Sequence, residues 1–287
     1  MGRWQRSKQL AGSSWAVLKQ DKELMVLPLI SGIASLLIAA SFLVPIFLSA
    51  HTTDAFGNDD VKFGPPQYGL LFLMYVVLAY ITIFFKTALL CGADERMKGG
   101  NPTIASALGG AGKRAGAILP WAVVSATVSV VLRAISERSG LVGRIVIGFV
   151  GMAWTVVTFL VLPVLVFEGV GVGDSIKRST QLLKHTWGEN LIVTGGIGLF
   201  SMLLVLPAIA VIALGATSGS VPVIAVTVGL GVLWIVAVTC WSNAMTSIFQ
   251  VALYRYATEG QAPAAFAQAE LGTAFTQKGR RNSSFGF

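Results

Sequence analysis

Residues 68–90 read YGLLFLMYVVLAYITIFFKTALL, from Tyr68 to Leu90, and Lys86 is the one charge in the run. A bilayer's hydrocarbon core is about 30 Å thick and needs about 20 apolar residues to cross as a helix. This run is long enough. Five others qualify or nearly do: Met25–Leu48, Gly116–Leu132, Ile145–Phe167, Leu191–Leu214 and Val223–Phe249. Gly116–Leu132 is the shortest. The expected fold is an all-α integral membrane protein with six transmembrane helices.

The composition agrees. The 287 residues are 54% apolar and only 12% charged, with a mean hydropathy of +0.74. Soluble domains carry about 25% charged residues, so this chain lacks the means to cover a water-facing surface. Soluble enzymes, disordered chains and disulfide scaffolds are disfavoured. Cys91 and Cys240 lie at the end of, or inside, apolar runs and read as small buried residues, not as a disulfide. The first apolar run is too long for a cleaved signal peptide and is expected to be retained.

The net charge is +8. With six spans, one side holds the bases of the N-terminal segment, Arg96, Lys98, Lys113, Arg114, Lys177, Arg178, Lys184 and the basic C-terminal tail. The other side has Lys62, Arg133, Arg138 and Arg144. That asymmetry places both termini in the cytoplasm of a cell-membrane protein. The acidic loop around Asp54, Asn58, Asp59 and Asp60 then faces outward and reads as a solvated loop; its spacing does not fit an EF-hand.

Amphipathic surface helices are expected on the basic side, about 3–20, 103–115 and 174–188. In the last, Ile176, Thr180, Leu183 and Trp187 form one stripe, opposite Lys177, Arg178, Gln181, Lys184 and His185. Trp4 and Trp15 mark the same plan near the N-terminus; Ile104, Leu108, Ala111 and Ala115 give a weaker version. Trp4, Trp15, Lys177, Arg178 and Trp187 are the expected anchors at an anionic lipid surface. Arg6-Ser7-Lys8-Gln9-Leu10 echoes Arg178-Ser179-Thr180-Gln181-Leu182. Phe85, Ala88, Leu89 and Ala93 share their spacing with Phe249, Ala252, Leu253 and Ala257. Three repeated units of surface helix plus hairpin are expected within a membrane domain of residues 1–258. Residues 259–287 are expected to form a cytoplasmic, largely disordered tail.

These residues carry a resemblance. Ser14–Lys19, Asp21–Leu24 and Pro28 resemble the opening of an uncharacterised prokaryotic family of multi-pass membrane proteins. Pro163–Gly169, Lys177–Ser179, Thr186–Glu189 and Ala252–Ala257 resemble the same family. The likeness spans roughly residues 3–260 and implies six spans with no established activity. The Ser-x-x-Leu…Trp pattern is more distantly similar to the membrane domain of some glycerophosphodiester phosphodiesterases. No phosphodiesterase domain is recognised in this sequence, so that activity is not expected.

The residues offer little for catalysis. His51 and His185 are the two histidines, and no HExxH or paired Cys/His spacing occurs. Gly171-Val172-Gly173-Asp174 spells a GxGD motif, yet no second aspartate lies in a span, and Asp174 reads as a helix N-cap. Gly109-Gly110-Ala111-Gly112-Lys113-Arg114 lacks the first glycine and the Ser/Thr of a P-loop. Polar groups at membrane depth are the remaining candidates. Lys86 either snorkels to the headgroups or pairs with Glu168. Asn243, with Thr239, Ser242, Thr246 and Ser247, either lines a polar path or bonds between packed helices. Arg133 is expected to meet Glu137 through i,i+4 spacing. Pro45, Pro163 and Pro207 are expected to kink their spans.

Two functions therefore stand. One is a non-enzymatic module that organises lipid or assists a membrane-protein partner. The other is a small-molecule or lipid transporter, which requires a polar cavity reaching Lys86 or Asn243. No cofactor, metal or nucleic acid is expected.

Overall fold

The computed structural model describes residues 22–53, 59–61 and 64–259; of residues 22, 50–53, 59–61 and 184–196 it describes the backbone only. A 3₁₀ turn, Lys22–Met25, leads into α1, Val26–Ala50. A three-residue antiparallel pair, β1 His51–Thr53 and β2 Asp59–Val61, connects it to α2, Pro65–Met97. Then follow α3 Ile104–Gly112, α4 Ala115–Arg138, α5 Leu141–Val157, α6 Val161–Phe167, α7 Val172–Thr217 and α8 Val221–Glu259. Among the described residues, six segments are long and apolar enough to cross a membrane: Glu23–Ser49, Pro65–Met97, Ala115–Arg138, Leu141–Phe167, Ile197–Thr217 and Val221–Glu259. They correspond in order to the six sequence runs.

The six spans have two distinct ends. At the basal end, where α1 begins and α8 finishes, side chains are densely buried. Leu24, Leu27, Leu90, Leu160, Leu165, Met245 and Phe249 are each at most 1% exposed. The distal half instead shows its apolar residues, with Leu36 at 72%, Leu141 at 79% and Leu214 at 72% exposed. Such a belt is untenable in water and ordinary against acyl chains. Among the described loop and helix-end residues, Arg96, Lys98, Lys113, Arg114, Lys177, Arg178 and Arg255 stand at the basal end, against Arg133, Arg138 and Arg144 at the distal end.

Helix α7 corrects one expectation. Residues 174–188 do not form a separate surface helix; they continue into span five as a single 46-residue α-helix. At 1.5 Å per residue it is roughly 69 Å long, more than twice the hydrocarbon thickness. The buried face of its first turns also differs from the expected stripe. Ser175 and Ser179 (0% exposed), Leu182 (6%) and Leu183 (3%) face the protein. Two serines can be buried there because both hydroxyls bond to backbone. Lys177 and Arg178 remain exposed. Asp174 is not the cap: Gly171 holds that position, and Asp174 sits in the first turn, where the helix dipole favours a carboxylate.

Helix α3 lies under the end of α2. Thr103 and Ser106 form a reciprocal capping box, with bonds of 3.0 and 3.1 Å. Ser106 also donates to Glu95 Oε2 at 2.8 Å, which ties the cap to α2. Gly109–Gly112 is therefore helix, not a phosphate loop. A Cβ on Gly110 would come within 2.9 Å of Cys91 Cβ, so glycine sets the approach of these two helices.

The echoing residues Ala88, Leu89, Ala93, Phe249, Ala252 and Leu253 share the basal core. The earlier echo, with Trp4, Trp15 and the helix expected over 3–20, lies outside the described residues. So do Asp54, Asn58, Lys62, residues 260–287 and the side chains of His51, His185 and Trp187.

Candidate functional site: a cavity beside a broken helix

Span four is two helices. Proline cannot donate a backbone hydrogen bond, so Pro163 leaves the Phe159 carbonyl, four residues earlier, without its helical partner. The chain breaks between α5 and α6, at residues 158–160, which are held by tight i→i+3 bonds (Phe159 N–H to the Val156 carbonyl, Val161 N–H to the Thr158 carbonyl). Two side chains from other helices take up the freed groups. Ser179 Oγ accepts from the Leu160 N–H at 3.2 Å and donates to the Val157 carbonyl at 2.6 Å. Gln250 Nε2 of α8 donates to the Phe159 carbonyl. Pro45 and Pro207, in contrast, sit inside uninterrupted helices.

Beside this break lies a cavity of about 520 Å³, a size typical of small-ligand sites. Helix α2 lines it with Tyr75, Leu78, Ala79, Thr82, Ile83 and Lys86. Their spacing, i, i+3, i+4, i+7, i+8 and i+11, is one continuous stripe, about 16 Å long. Ser125 and Ser129 of α4, Thr155 of α5, Thr158 and Phe159 of the break, and Gln250 complete the polar and apolar walls. Trp121 also lines it and stacks on Trp154, with ring centroids 6.1 Å apart.

The donors and acceptors in the wall are unevenly satisfied. Thr82, Ser129, Thr155 and Thr158 donate to carbonyls of their own helices at 2.7–2.9 Å, leaving their oxygens as acceptors. Gln250 is 2% exposed, and its Oε1 has no hydrogen-bond partner among the described residues. Lys86 is half-buried and forms no ion pair or hydrogen bond with a described residue. Among the described residues, the cavity lining includes no carboxylate. At the distal mouth, Tyr75 accepts from Arg133 Nη1 at 3.3 Å, and Arg133 pairs with Glu137 at 2.9 Å as its spacing implies.

Glu168 does not pair with Lys86. It lies at the basal end of α6, accepts from Tyr254 Oη at 3.1 Å and meets Arg178 at 3.4 Å. A second basal cluster was not anticipated. Asp94, 8% exposed, accepts from Arg255 at 2.5 and 2.7 Å and from Lys98 at 2.7 Å, joining α2 to α8. Asn243 is exposed and donates to the Thr239 carbonyl of its own helix at 3.0 Å, so it is separate from the cavity. Its neighbour Ser242 makes the interhelical contact, accepting from Ser201 at 2.9 Å. Thr246 is half-buried, and Ser247 Oγ is buried without a partner.

Of the sequence-selected site residues that are described, Lys86 alone lines the cavity. Gln250, Ser179 and Asp94 passed unnoticed, although each is a polar residue within or next to an apolar stripe, the signal that singled out Lys86 and Asn243.

The fold and the exposed apolar belt define a multi-pass α-helical membrane protein with an open, mostly apolar cavity that a few polar side chains line. A model for a family of unknown function, DUF6159, matches residues 66–264, more than half of the chain, and the protein belongs to that family. No curated protein matches it.

Proposed function

We propose that this protein is a non-enzymatic carrier that binds a small molecule or lipid within the membrane and moves it between the two sides. The cavity at Lys86 carries this reading. A lysine in a span is costly unless it serves a ligand, an ion path or a partner. The broken span four adds to it, because interrupted helices in transporters place free backbone groups beside the substrate.

The membrane-organising reading is favoured by a different observation. A second cavity of about 520 Å³, between Pro207 and Ala208 of α7 and Leu230 and Trp234 of α8, is almost wholly apolar and suits a lipid chain or a partner helix. The two readings separate in vesicles. Purified protein, reconstituted into liposomes of the host's own lipid extract, is expected to accelerate exchange of labelled lipid or solute between leaflets or compartments. The rate is expected to fall at least tenfold in Lys86→Gln. Rates equal to protein-free vesicles, with the protein shown to be folded, would leave only the organising role.

We also propose a cell-membrane location with the basal end in the cytoplasm, supported by the distribution of basic residues. Thr217, exposed at the distal turn, provides the test. In a variant with Cys91 and Cys240 replaced by alanine, Thr217→Cys is expected to react with an impermeant maleimide added to intact cells. Protection until lysis would reverse the orientation.

A further inference from the structure

The carrier reading leaves the ligand's chemistry open, and the wall of the cavity narrows it. We infer that the site takes a single-chain amphiphile with an anionic head that also carries a hydrogen-bond donor, such as a protonated phosphate monoester or a carboxylate bearing an adjacent hydroxyl. This deepens the proposed function and rests on it.

Three observations converge on that class. The first is Lys86, whose ammonium has no carboxylate among the described cavity-lining residues. A cation in such surroundings is stabilised chiefly by bringing in an anion, because solvation by water is reduced there. The second is the set of hydroxyls in the wall. Those of Thr82, Ser129, Thr155 and Thr158 are committed to backbone carbonyls as donors and offer acceptor oxygens, which a donor on the head satisfies and a plain dianion does not.

The third observation is the shape. From Lys86 the stripe on α2 runs distally past Ile83, Ala79 and Leu78 to Tyr75, which is 38% exposed. Leu162 and Ala126 face the same space. A head held at Lys86 therefore has a mostly apolar path about 16 Å long, which fits one extended acyl chain lying along α2.

A tryptophan placed at Tyr75, where the chain's tail would end, gives a direct readout. Quenching of tryptophan fluorescence by 2-hydroxy-11-bromoundecanoate would be measured on the full-length Tyr75→Trp protein in nanodiscs, against its methyl ester. Partition into lipid quenches all indoles, so the site-specific part is what Tyr75→Trp adds over the wild type. The acid is expected to show a saturable component, and the ester at least a tenfold weaker one. Lys86→Gln is expected to weaken the acid at least tenfold and Lys86→Arg to restore it, with elution profiles confirming that both variants fold. Equal binding of acid and ester, or no change in Lys86→Gln, would overturn the anionic head. Displacement of the probe by equimolar inorganic phosphate or acetate would show that a free anion, not an amphiphile, is the ligand, and would overturn the chain assignment. The carrier reading fails separately: binding as described with no movement across vesicles removes the carrier and keeps the ligand class, whereas movement of the ester alone keeps the carrier and removes the inference.

Discussion

Replacing Ser179 by alanine tests how the break in span four is held. The hydroxyl serves two backbone groups at once, the Leu160 N–H at 3.2 Å and the Val157 carbonyl at 2.6 Å. Ser179 is 0% exposed, so water has no route to replace it. Each buried group left unpaired costs about 1–3 kcal/mol, giving roughly 2–6 kcal/mol for the pair. Hydrogen bonds measured within membranes average about 0.6 kcal/mol, because the chain finds other partners there. The lower end, about 2 kcal/mol, is therefore the expected loss. Ser175 supplies the control. It is equally buried, but its hydroxyl donates only to the Gly171 carbonyl, at 2.9 Å, and that carbonyl also accepts the Ser175 N–H at 2.8 Å. Ser175→Ala thus leaves no backbone group without a partner and is expected to cost under about 1 kcal/mol. Cys91 is partly buried, Cys240 is buried, and both are free, so reaction with a thiol-specific dye during heating or denaturant titration follows unfolding without added labels. Ser179→Ala should unmask these thiols well before wild type, and Ser175→Ala close to it. Coincident curves for the two variants would refute the assigned role of Ser179.

Other outcomes follow from the basal packing. Asp94→Asn removes the carboxylate shared by Arg255 and Lys98 and should destabilise the protein by about 2 kcal/mol. In a double-mutant cycle Asp94 and Arg255 should couple by more than about 1 kcal/mol, and a coupling near zero would mean that the pair adds nothing. A Cβ on Gly92 would lie 2.7 Å from Leu24 Cδ2, the far end of a flexible side chain. Gly92→Ala should therefore cost about 1 kcal/mol and Gly92→Val about 3 kcal/mol in the same thiol assay, with equal effects counting against tight packing of the 3₁₀ turn on α2.

How much was readable from sequence can be judged residue by residue. Arg133 and Glu137 were paired correctly because four residues on one helix fix their separation before any tertiary contact forms. Pro163 was marked as a kink, and the structure breaks span four just before it, but Pro45 and Pro207 carried the same mark without a break. What distinguishes Pro163 is support from outside its helix. Ser179 and Gln250 bond the groups freed around it, and they lie 19 and 91 residues from their partners. The proposed Lys86–Glu168 pair failed for a related reason. Both residues were placed near the basal ends of their spans, but helix rotation decides which face each presents. Rotation turns Lys86 to the cavity and Glu168 toward Tyr254 and Arg178.

The sequence alone determined the number of spans, their order and the uneven distribution of basic residues. Those follow from the length of apolar runs against the bilayer and from charges that cannot enter it. Only the tertiary structure decided that the break in span four is latched by a serine and a glutamine from other helices. It also decided that Lys86 lines a cavity with no carboxylate among its described lining residues. Apolar spans in lipid carry a weak signal for which faces meet, because lipid tails are as apolar as the side chains they contact. The choice of neighbours therefore rests on close packing and a few polar contacts, which come together only once the helices have assembled.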